Sequence, residues 1–318
     1  MTILVTGATG LVGSHLCKKL VSEGYPVVGL VRKRDNSFIE QLADNPNFTP
    51  CLGDIRDTFR VEQIFQNYDI DTVLHMAAHL PITPFNDIAG VNVKGTINLL
   101  KSAYRNNVKG IVFASSVSVY SAPPKYLPVD ELHTTNAPTV YGLSKIAGEW
   151  ICNMYSDKMR VASLRYAGIF GTNSERNRVV NLFIRCALNN QPIILDGDGT
   201  HSSEFVYIDD VIQGTYLAWQ NKASGVFNIG SGEETTIKEL AQHIVELTNS
   251  KSEVVCNGKG NDRPFRFYLD ITKARNELGY SPLSLREGLE KYLAWFYRGD
   301  VSMVDYSQAD TRMRIGNE

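Results

Sequence analysis

A glycine-rich turn near the start of the chain constrains the fold more than any other segment, and it runs Gly7-Ala8-Thr9-Gly10-Leu11-Val12-Gly13. It follows the apolar run Ile3-Leu4-Val5 directly and precedes an amphipathic stretch, which indicates a strand-to-helix turn. Gly7 tolerates a positive φ, Gly10 leaves room for a phosphate, and Gly13 lets the helix pack closely on the strand. The helix N-terminus offers free N–H groups to an anion. The GxxGxxG spacing therefore predicts a turn that holds the pyrophosphate of a dinucleotide.

Short apolar runs alternate with longer amphipathic stretches through the first half of the chain. Continuous β-branched runs separated by helices indicate strands that are covered on both faces. The predicted fold is therefore α/β, with a doubly wound, Rossmann-like parallel sheet. The predicted strands are Ile3–Thr6, Val27–Val31, Phe48–Leu52, Thr72–His75, Gly110–Ser115 and Arg160–Arg165. The predicted helices between them are Leu11–Ser22, Arg60–Asn67, Val91–Arg105 and Tyr141–Tyr155.

From about Gly171 the segments become shorter and glycine turns appear, as at Gly197-Asp198-Gly199. We expect a Rossmann domain over residues 1–170, to which parts of the later chain return. A smaller mixed α/β substrate lobe is predicted over residues 171–298, with a helix near Leu285–Tyr297. Residues 299–318 are polar and aperiodic, which predicts a loosely held tail.

Composition narrows the class of protein. The chain has 318 residues and a formal charge of −2, so no basic surface is expected to bind nucleic acid or an anionic membrane. No apolar stretch approaches the roughly 20 residues needed to span a bilayer. The five cysteines are scattered without CxxC or Cys/His spacing. We expect reduced thiols, no metal site and a cytoplasmic location.

The end of the second predicted strand bears on the choice of cofactor. An NAD enzyme typically carries an acid there for the ribose 2′-hydroxyl, but this chain has Val31 followed by Arg32 and Lys33. A guanidinium suits a 2′-phosphate. Asp35 could still supply the acid. The cofactor is therefore predicted to be NAD or NADP, with NADP favoured.

A second constellation suits proton transfer. Tyr141 and Lys145 are spaced i, i+4, so one helix face carries both side chains. A nearby ammonium stabilises a phenolate, which allows a tyrosine to act as a base near neutral pH. Ser116 follows the fifth predicted strand, at the sheet edge where ligands of such sheets bind. It could share a substrate oxygen with Tyr141.

Ordered motifs over most of the chain resemble the extended branch of the short-chain dehydrogenase/reductase superfamily, the NAD-dependent epimerase/dehydratase family. In the first half they are TGATGLVGSHL at 6–16, GDIRD at 53–57, HMAAH at 75–79, NVKGT at 92–96, SSVSVY at 115–120 and YGLSK at 141–145. In the second half they are GDG at 197–199, FVYIDDV at 205–211, NIG at 228–230 and Arg263-Pro264.

The resemblance implies a role for each matching residue. It implies that Ser116, Tyr141 and Lys145 are catalytic, and that Tyr141 and Lys145 also contact the cofactor. The other implied cofactor-binding residues are Gly7, Thr9, Gly10, Leu11, Val12, Gly13, Arg32, Asp54, Ile55, Ala77, Ala78 and Asn92. The implied substrate-binding residues are His79, Ser116, Gly168, Arg178, Val179 and Arg263.

Three segments depart from the family pattern on the substrate side. Dehydratases of the family carry Thr-Asp-Glu where this chain has Ser116-Val117-Ser118, so dehydration is not expected. Tyr166-Ala167-Gly168 replaces a Tyr-Phe-Asn string, and Ser203 replaces an arginine that binds the substrate diphosphate. Arg263 remains at the second phosphate-binding arginine, and Arg178 lies on a neighbouring substrate segment.

The leading interpretation is an enzyme that transfers a hydride at a secondary alcohol or ketone of a nucleotide-linked sugar. C4 epimerisation ranks first. One alternative is an NADPH-dependent ketoreductase of a nucleotide-linked or smaller keto compound. Another is a non-catalytic dinucleotide-binding protein, although the complete set of Ser116, Tyr141 and Lys145 favours an enzyme. The helices at 91–105 and 141–155 resemble the pair that forms the family's homodimer, which predicts a dimer.

Overall fold

The computed structural model describes residues 1–33, 37–42, 44–80, 84–172, 178–258 and 265–298. Its strands are, in chain order, β1 Thr2–Thr6, β2 Val27–Val31, β3 Phe48–Leu52, β4 Ile70–His75, β5 Gly110–Ser116, β6 Arg160–Tyr166, β7 Gly168–Phe170, β8 Ile193–Leu195, β9 Ser202–Ser203, β10 Phe205–Tyr207, β11 Gly225–Ile229, β12 Thr235–Thr236 and β13 Val254–Cys256.

The α-helices of the same residues are α1 Leu11–Ser22, α2 Ser37–Leu42, α3 Thr58–Asn67, α4 Phe85–Ile88, α5 Thr96–Arg105, α6 Val140–Asn153, α7 Arg178–Leu188, α8 Ile208–Gln220, α9 Ile237–Leu247 and α10 Leu285–Tyr297. Two π-helical segments lie at Ala89–Gly95 and Ala274–Leu278, and a 3₁₀ turn lies at Val117–Val119.

A seven-stranded sheet forms the centre of the molecule, in the order β11-β6-β5-β4-β1-β2-β3. Every neighbouring pair in it is parallel. Ile3, Leu4 and Val5 in β1 are all fully buried. Ile3 and Val5 belong to a core with Leu16 of α1, whereas Leu4 belongs to the opposite core with Ile64 of α3. The predicted doubly wound α/β fold is confirmed.

Most predicted helices match, with one informative difference. The predicted helix at 91–105 is the α-helix α5 only from Thr96 onward. Before it, the chain forms a π-helical segment at Ala89–Gly95 that continues directly from α4. π-Helical segments inside helices are rare and often occur at functional sites. Here the segment carries Asn92 toward the sheet edge.

The second half of the chain forms short sheets and helices beside the carboxyl ends of the central strands. Within the described residues, β7 pairs with β10 and β8 with β13 in parallel, and β9 pairs with β12 antiparallel. This is the predicted smaller mixed α/β region. Strand β11 also belongs to the second half of the chain, but it pairs with β6 in the central sheet. The predicted tail at 299–318 lies outside the described residues, so the proposed domain boundaries stay a prediction.

Candidate active site

The predicted glycine turn joins β1 to α1 and is closely packed. Gly7 has φ +67°, and a Cβ there would lie 2.8 Å from Cα of Ala77. A Cβ on Gly13 would lie 2.1 Å from the carbonyl oxygen of Gly7. Gly10 occupies the N-cap position without a side chain, and no acidic residue lies in the first turn of α1. The Gly10 N–H donates to the Gly7 carbonyl oxygen at 2.8 Å, so an anion at this turn would bind the N–H groups at the start of α1. Neither Gly7 nor Gly13 has room for a side chain.

The other predicted cofactor residues of the turn, Thr9, Leu11 and Val12, are half-buried. At the end of β2, Val31 is buried and its side chain cannot accept a hydrogen bond, whereas Arg32 is exposed. The positive charge of Arg32 reaches Asp54, where it helps Arg56 to lower the pKa of the carboxyl. Arg32 therefore lies on the same side of the sheet edge as the predicted adenosine residues.

The predicted adenine segment after β3 is held by local contacts. Arg56 donates to both oxygens of Asp54, at 3.1 Å (Nε to Oδ1) and 2.8 Å (Nη2 to Oδ2). This hydrogen bonding is the main cause of the lowered Asp54 pKa. Ile55 is buried against the π-helical segment, where a Cβ on Gly95 would lie 2.5 Å from the Ile55 Cδ1. The structure thus places both residues at the expected edge, with Asp54 fixed by Arg56.

Asn92 braces the loop that follows β4. The backbone N–H of His79 donates to the Asn92 side-chain oxygen at 2.7 Å, and the Asn92 amide donates back to the His79 carbonyl at 3.0 Å. The same amide also donates to the Ser144 hydroxyl at 2.9 Å. Asn92 is 2% exposed, so these contacts account for its polar atoms. It fixes the half-buried Ala77, Ala78 and His79 relative to α6.

A buried histidine that the sequence analysis left unassigned supports this brace. The Thr96 hydroxyl donates to the Asn92 carbonyl at 2.7 Å, so it must accept from Nε2 of His75 at 2.9 Å. Nδ1 of His75 is then an acceptor for the Thr6 hydroxyl at 2.7 Å, and Thr6 accepts from the Ala77 N–H. Burial and the nearby charge of Lys145 lower the pKa of His75 to about 3. His75 is therefore neutral and ties β1 to the π-helical segment.

Ser116 and Tyr141 are brought together by a close helix contact. Thr139 caps α6 by accepting from the Gly142 N–H at 3.1 Å. A Cβ on Gly142 would lie 2.1 Å from the Ser118 carbonyl oxygen, so α6 packs directly on the turn that follows Ser116. Burial raises the pKa of Tyr141 to about 12, and a hydrogen bond with the Ser116 side chain acts in the opposite direction. The phenol is therefore protonated in the resting protein.

Lys145 completes the predicted triad one helical turn after Tyr141. It is 2% exposed, and its Nζ donates to the Ala114 carbonyl oxygen at 2.7 Å. The Nζ lies 5.7 Å from the centre of the Tyr141 ring and 5.0 Å from that of Phe113. Burial lowers the pKa of Lys145 to about 8. The structure thus brings a hydroxyl, a phenol and a buried amine together at the carboxyl end of β5.

The predicted substrate residues are only partly described. Gly168 is exposed, and a Cβ there would lie 2.8 Å from the Glu204 carbonyl oxygen, which leaves no room for a larger side chain without movement. Val179 is half-buried in the first turn of α7. The Arg178 side chain and all of Arg263 lie outside the described residues. The substrate-side predictions therefore stay predictions.

Ser203 and Glu204 occupy the segment where the family pattern has Arg-Asp. Ser203 pairs with Thr235 across a short antiparallel ladder. Glu204 is 1% exposed and accepts from the backbone N–H groups of Gly232 at 2.9 Å and Leu269 at 2.6 Å. Burial raises the Glu204 pKa to about 7. This carboxylate joins three segments of the second lobe, which is a structural role.

No helix within the described ranges is both long enough and apolar enough to cross a membrane.

Comparison with known proteins identifies the family. The sequence model of the NAD dependent epimerase/dehydratase family matches residues 3–230. The chain belongs to that family, and it is an enzyme of the short-chain dehydrogenase/reductase type. It is 35% identical over 310 residues, 92% of this chain and 97% of the relative, to a protein of Methanocaldococcus jannaschii that is provisionally named UDP-glucose 4-epimerase.

Two solved structures show the same fold. The UDP-glucose 4-epimerase of Thermotoga maritima with UDP-glucose has a TM-score of 0.83 and 30% identity, covering 94% of this chain and 99% of its own. The UDP-glucuronic acid 4-epimerase of Bacillus cereus with UDP-glucuronic acid and NAD has a TM-score of 0.81 and 29% identity, with the same coverage. The predicted family is confirmed.

Two groups of residues in the site were missed by the sequence analysis. His75 looked like the end of a buried strand, and only the structure shows that both its ring nitrogens are bonded. Glu149 and Arg165 were not singled out either, yet they form a buried ion pair with 2.7 Å between Oε2 and Nη2. The spacing of Glu149, which lies i+4 from Lys145, is the signal that could have identified it.

Proposed function

We propose that this protein is a nicotinamide-dependent nucleotide-sugar epimerase that inverts C4 of the sugar. The observation that carries the proposal is the convergence of Ser116, Tyr141 and Lys145 at the end of β5, at the same edge of the sheet as the glycine turn after β1. The relatives named as 4-epimerases of UDP-glucose and UDP-glucuronic acid support the same substrate class.

The chain's own residues supply the proton chemistry. When bound, a nicotinamide cofactor supplies the acceptor and then the donor of a hydride at the sugar carbon. Once Tyr141 has lost its own proton, its phenolate takes the proton of the C4 hydroxyl as the ketone forms, and Ser116 holds that oxygen by a hydrogen bond. The Lys145 charge stabilises the phenolate while Tyr141 is ionised. The ketone then presents its opposite face to the cofactor. Tyr141 returns the proton to the C4 oxygen as the hydride is returned, which gives the alcohol of inverted configuration.

The turn after β5 favours epimerisation over dehydration, a related reaction of the family. Dehydration needs an acid and a base beside the catalytic hydroxyl, and this chain offers Val117 and Ser118 there. Ser118 is engaged locally, since its N–H donates to the Ser116 hydroxyl oxygen at 3.1 Å, and its own hydroxyl lies 3.1 Å from that oxygen. Some relatives are named decarboxylases of UDP-sugar acids, so this reaction is an outcome of the test.

The test follows products from UDP-glucose, UDP-N-acetylglucosamine and UDP-glucuronic acid, each with NAD and with NADP. The expected result is interconversion of the 4-epimers without net change in the oxidised cofactor. Release of carbon dioxide from UDP-glucuronic acid would instead assign a decarboxylase. Net oxidation of NADPH with a keto substrate would assign the ketoreductase alternative. Binding of dinucleotide with no turnover of any substrate would contradict the enzyme proposal.

We further propose that NADP binds more tightly than NAD, since Val31 offers no acceptor to a ribose hydroxyl and Arg32 is exposed beside it. Arg32→Ala is expected to weaken NADPH binding about 10-fold or more, because a charge-assisted hydrogen bond contributes roughly 1.5–3 kcal/mol, and to leave NADH binding unchanged. Titration calorimetry measures both affinities. Arg275→Ala, which removes an exposed arginine from the π-helical segment at 274–278, is the matched control. Tighter binding of NADH than of NADPH by the unmodified protein would contradict this preference.

We also propose that the protein is a homodimer through α5 and α6. Leu143, Trp150 and Met154 are 55%, 73% and 79% exposed, and their spacing puts them on one face of α6. Tyr104 of α5 is 46% exposed and its ring lies 5.7 Å from that of Tyr155. A contiguous apolar patch of this kind marks an interaction surface.

Trp150→Glu is expected to give a monomer, because it buries a charge in the proposed interface. Light scattering at several protein concentrations measures the mass. Phe59→Glu is the matched control, since Phe59 is also 73% exposed but lies on α3. A monomeric unmodified protein, or loss of the dimer in both variants, would contradict the proposed surface.

A further inference from the structure

Helix α6 carries a third polar residue in line with the two that the sequence predicted. Tyr141, Lys145 and Glu149 follow at i, i+4 and i+8, so all three project from one face of the helix. The Ser115 hydroxyl donates to Oε1 of Glu149 at 2.5 Å. Ser115 directly precedes Ser116, so the carboxylate contacts the strand end that carries the catalytic hydroxyl.

Glu149 is held in a fixed position by a buried arginine. Arg165 of β6 donates to Oε1 from Nε at 2.9 Å and to Oε2 from Nη2 at 2.7 Å. The two side chains are only 6% and 10% exposed. Arg165 also donates to the Tyr120 hydroxyl at 3.0 Å and to the Glu131 carbonyl oxygen at 3.1 Å. A bidentate pair with these further bonds fixes the position of the carboxylate.

Among the described side chains that affect the Lys145 pKa, Glu149 supplies the negative charge. Burial lowers the pKa of Lys145, while Cys152 and Glu149 raise it. Burial raises the pKa of the Cys152 thiol to about 12, so that thiol is neutral where Lys145 titrates. His75 is also neutral there, because burial lowers its pKa to about 3. Tyr141 is protonated in the same range, since its pKa is about 12.

We propose that Glu149 is a positioning residue for the reaction, whose fixed carboxylate keeps the buried Lys145 ammonium charged beside Tyr141. The inference rests on the proposed function for its catalytic consequence, but not for its effect on Lys145. Burial alone favours a neutral amine, and a neutral amine cannot stabilise a phenolate. Arg165 holds the carboxylate in place, and Ser115 connects it to the strand end at Ser116.

The test measures the pKa of Lys145 directly in the full-length protein, without cofactor or substrate. The Cε chemical shift of Lys145 is followed against pH in protein that carries isotope-labelled lysine, and the signal is assigned by its loss in Lys145→Met. Glu149→Gln is expected to lower the Lys145 pKa by about one unit, as for the loss of a charge at close range in a protein interior. Ser115→Ala, which removes a hydrogen bond but no charge, should leave the Lys145 pKa unchanged. Glu149→Asp keeps the negative charge and should give a Lys145 pKa close to that of the unmodified protein.

The activity profile gives a second readout that a purely structural role would not move. In Glu149→Gln the alkaline limb of the pH profile of kcat should shift to lower pH together with the Lys145 pKa. Simple misfolding would instead lower kcat at every pH.

If the single variant does not fold because Arg165 is left unpaired, the double variant Glu149→Gln with Arg165→Gln removes both charges and should still lower the Lys145 pKa. An unchanged Lys145 pKa in the folded Gln variant would overturn the proposal. A shifted pKa without epimerase activity in the unmodified protein would overturn the proposed function alone.

Discussion

Tyr141→Phe is expected to lower kcat at least ~100-fold, and up to ~10,000-fold, because it removes the proposed proton-transfer group from a site that is otherwise unchanged. Dinucleotide affinity should fall little, since the glycine turn at 7–13 and Lys145 are untouched. The hydroxyl projects toward Ser116, where the hydrogen bond between the two affects the Tyr141 pKa. Initial rates of epimerisation together with titration of the dinucleotide separate the two effects.

Tyr155→Phe provides the matched control for this prediction. Tyr155 follows the same helix, and its ring contact with Tyr104 at 5.7 Å does not need the hydroxyl. This variant should keep the kcat of the unmodified protein. If Tyr141→Phe kept that kcat as well, Tyr141 would not be the proton-transfer group, and the mechanism proposed for the family member would be wrong.

Most of the central sheet could be predicted from the sequence, because the residues of each predicted strand by themselves indicate a strand that is buried on both faces. Val27–Val31 is buried at every position, and such a continuous apolar run fits only a strand covered on both faces. Strand β11 is different. Gly225–Ile229 has two partly exposed residues at its start and follows a long excursion through the second lobe, so its place beside β6 depends on tertiary contacts.

The positions of the proposed catalytic residues could be predicted for a related reason. Tyr141 and Lys145 are neighbours by helix geometry, and Ser116 ends a parallel strand, where such sheets place their ligands. Residues 91–95 of the π-helical segment were predicted as part of an ordinary helix, because apolar periodicity does not distinguish the two. The hydrogen bonds of Asn92 to His79 and Ser144 join residues far apart in the sequence, so they could not be derived from spacing.

The buried ion pair illustrates the limit most clearly. Arg165 and Glu149 are charged residues in segments that otherwise look like a core strand and a core helix. Burial of an arginine is tolerated only where its charge and donors are matched, and the matching partners come from α6, Tyr120 and the Glu131 backbone. Each partner is separated from Arg165 by at least 16 positions. The sequence pattern holds no information at that range.

Gly13→Ala is expected to abolish dinucleotide binding, because the new Cβ would lie 2.1 Å from the Gly7 carbonyl oxygen. The atom it meets is backbone, so relief requires α1 to move away from β1 or the turn to open. Either change displaces the N–H groups that a pyrophosphate would use. The free energy of unfolding should also fall by roughly 1–3 kcal/mol, as for other overpacked sites. Titration calorimetry with NADPH and NADH, and denaturant unfolding, measure the two effects.

Gly110→Ala is the matched control, since a Cβ at the start of β5 would approach its nearest neighbour, the Arg160 carbonyl oxygen, only to 3.5 Å. It should bind the dinucleotide like the unmodified protein and unfold at nearly the same denaturant concentration. A folded Gly13→Ala protein with unchanged affinity for both dinucleotides would show that the pyrophosphate does not lie on this turn. The cofactor would then have to bind elsewhere along the sheet edge, and the position of Tyr141 and Lys145 relative to its nicotinamide would have to be derived anew.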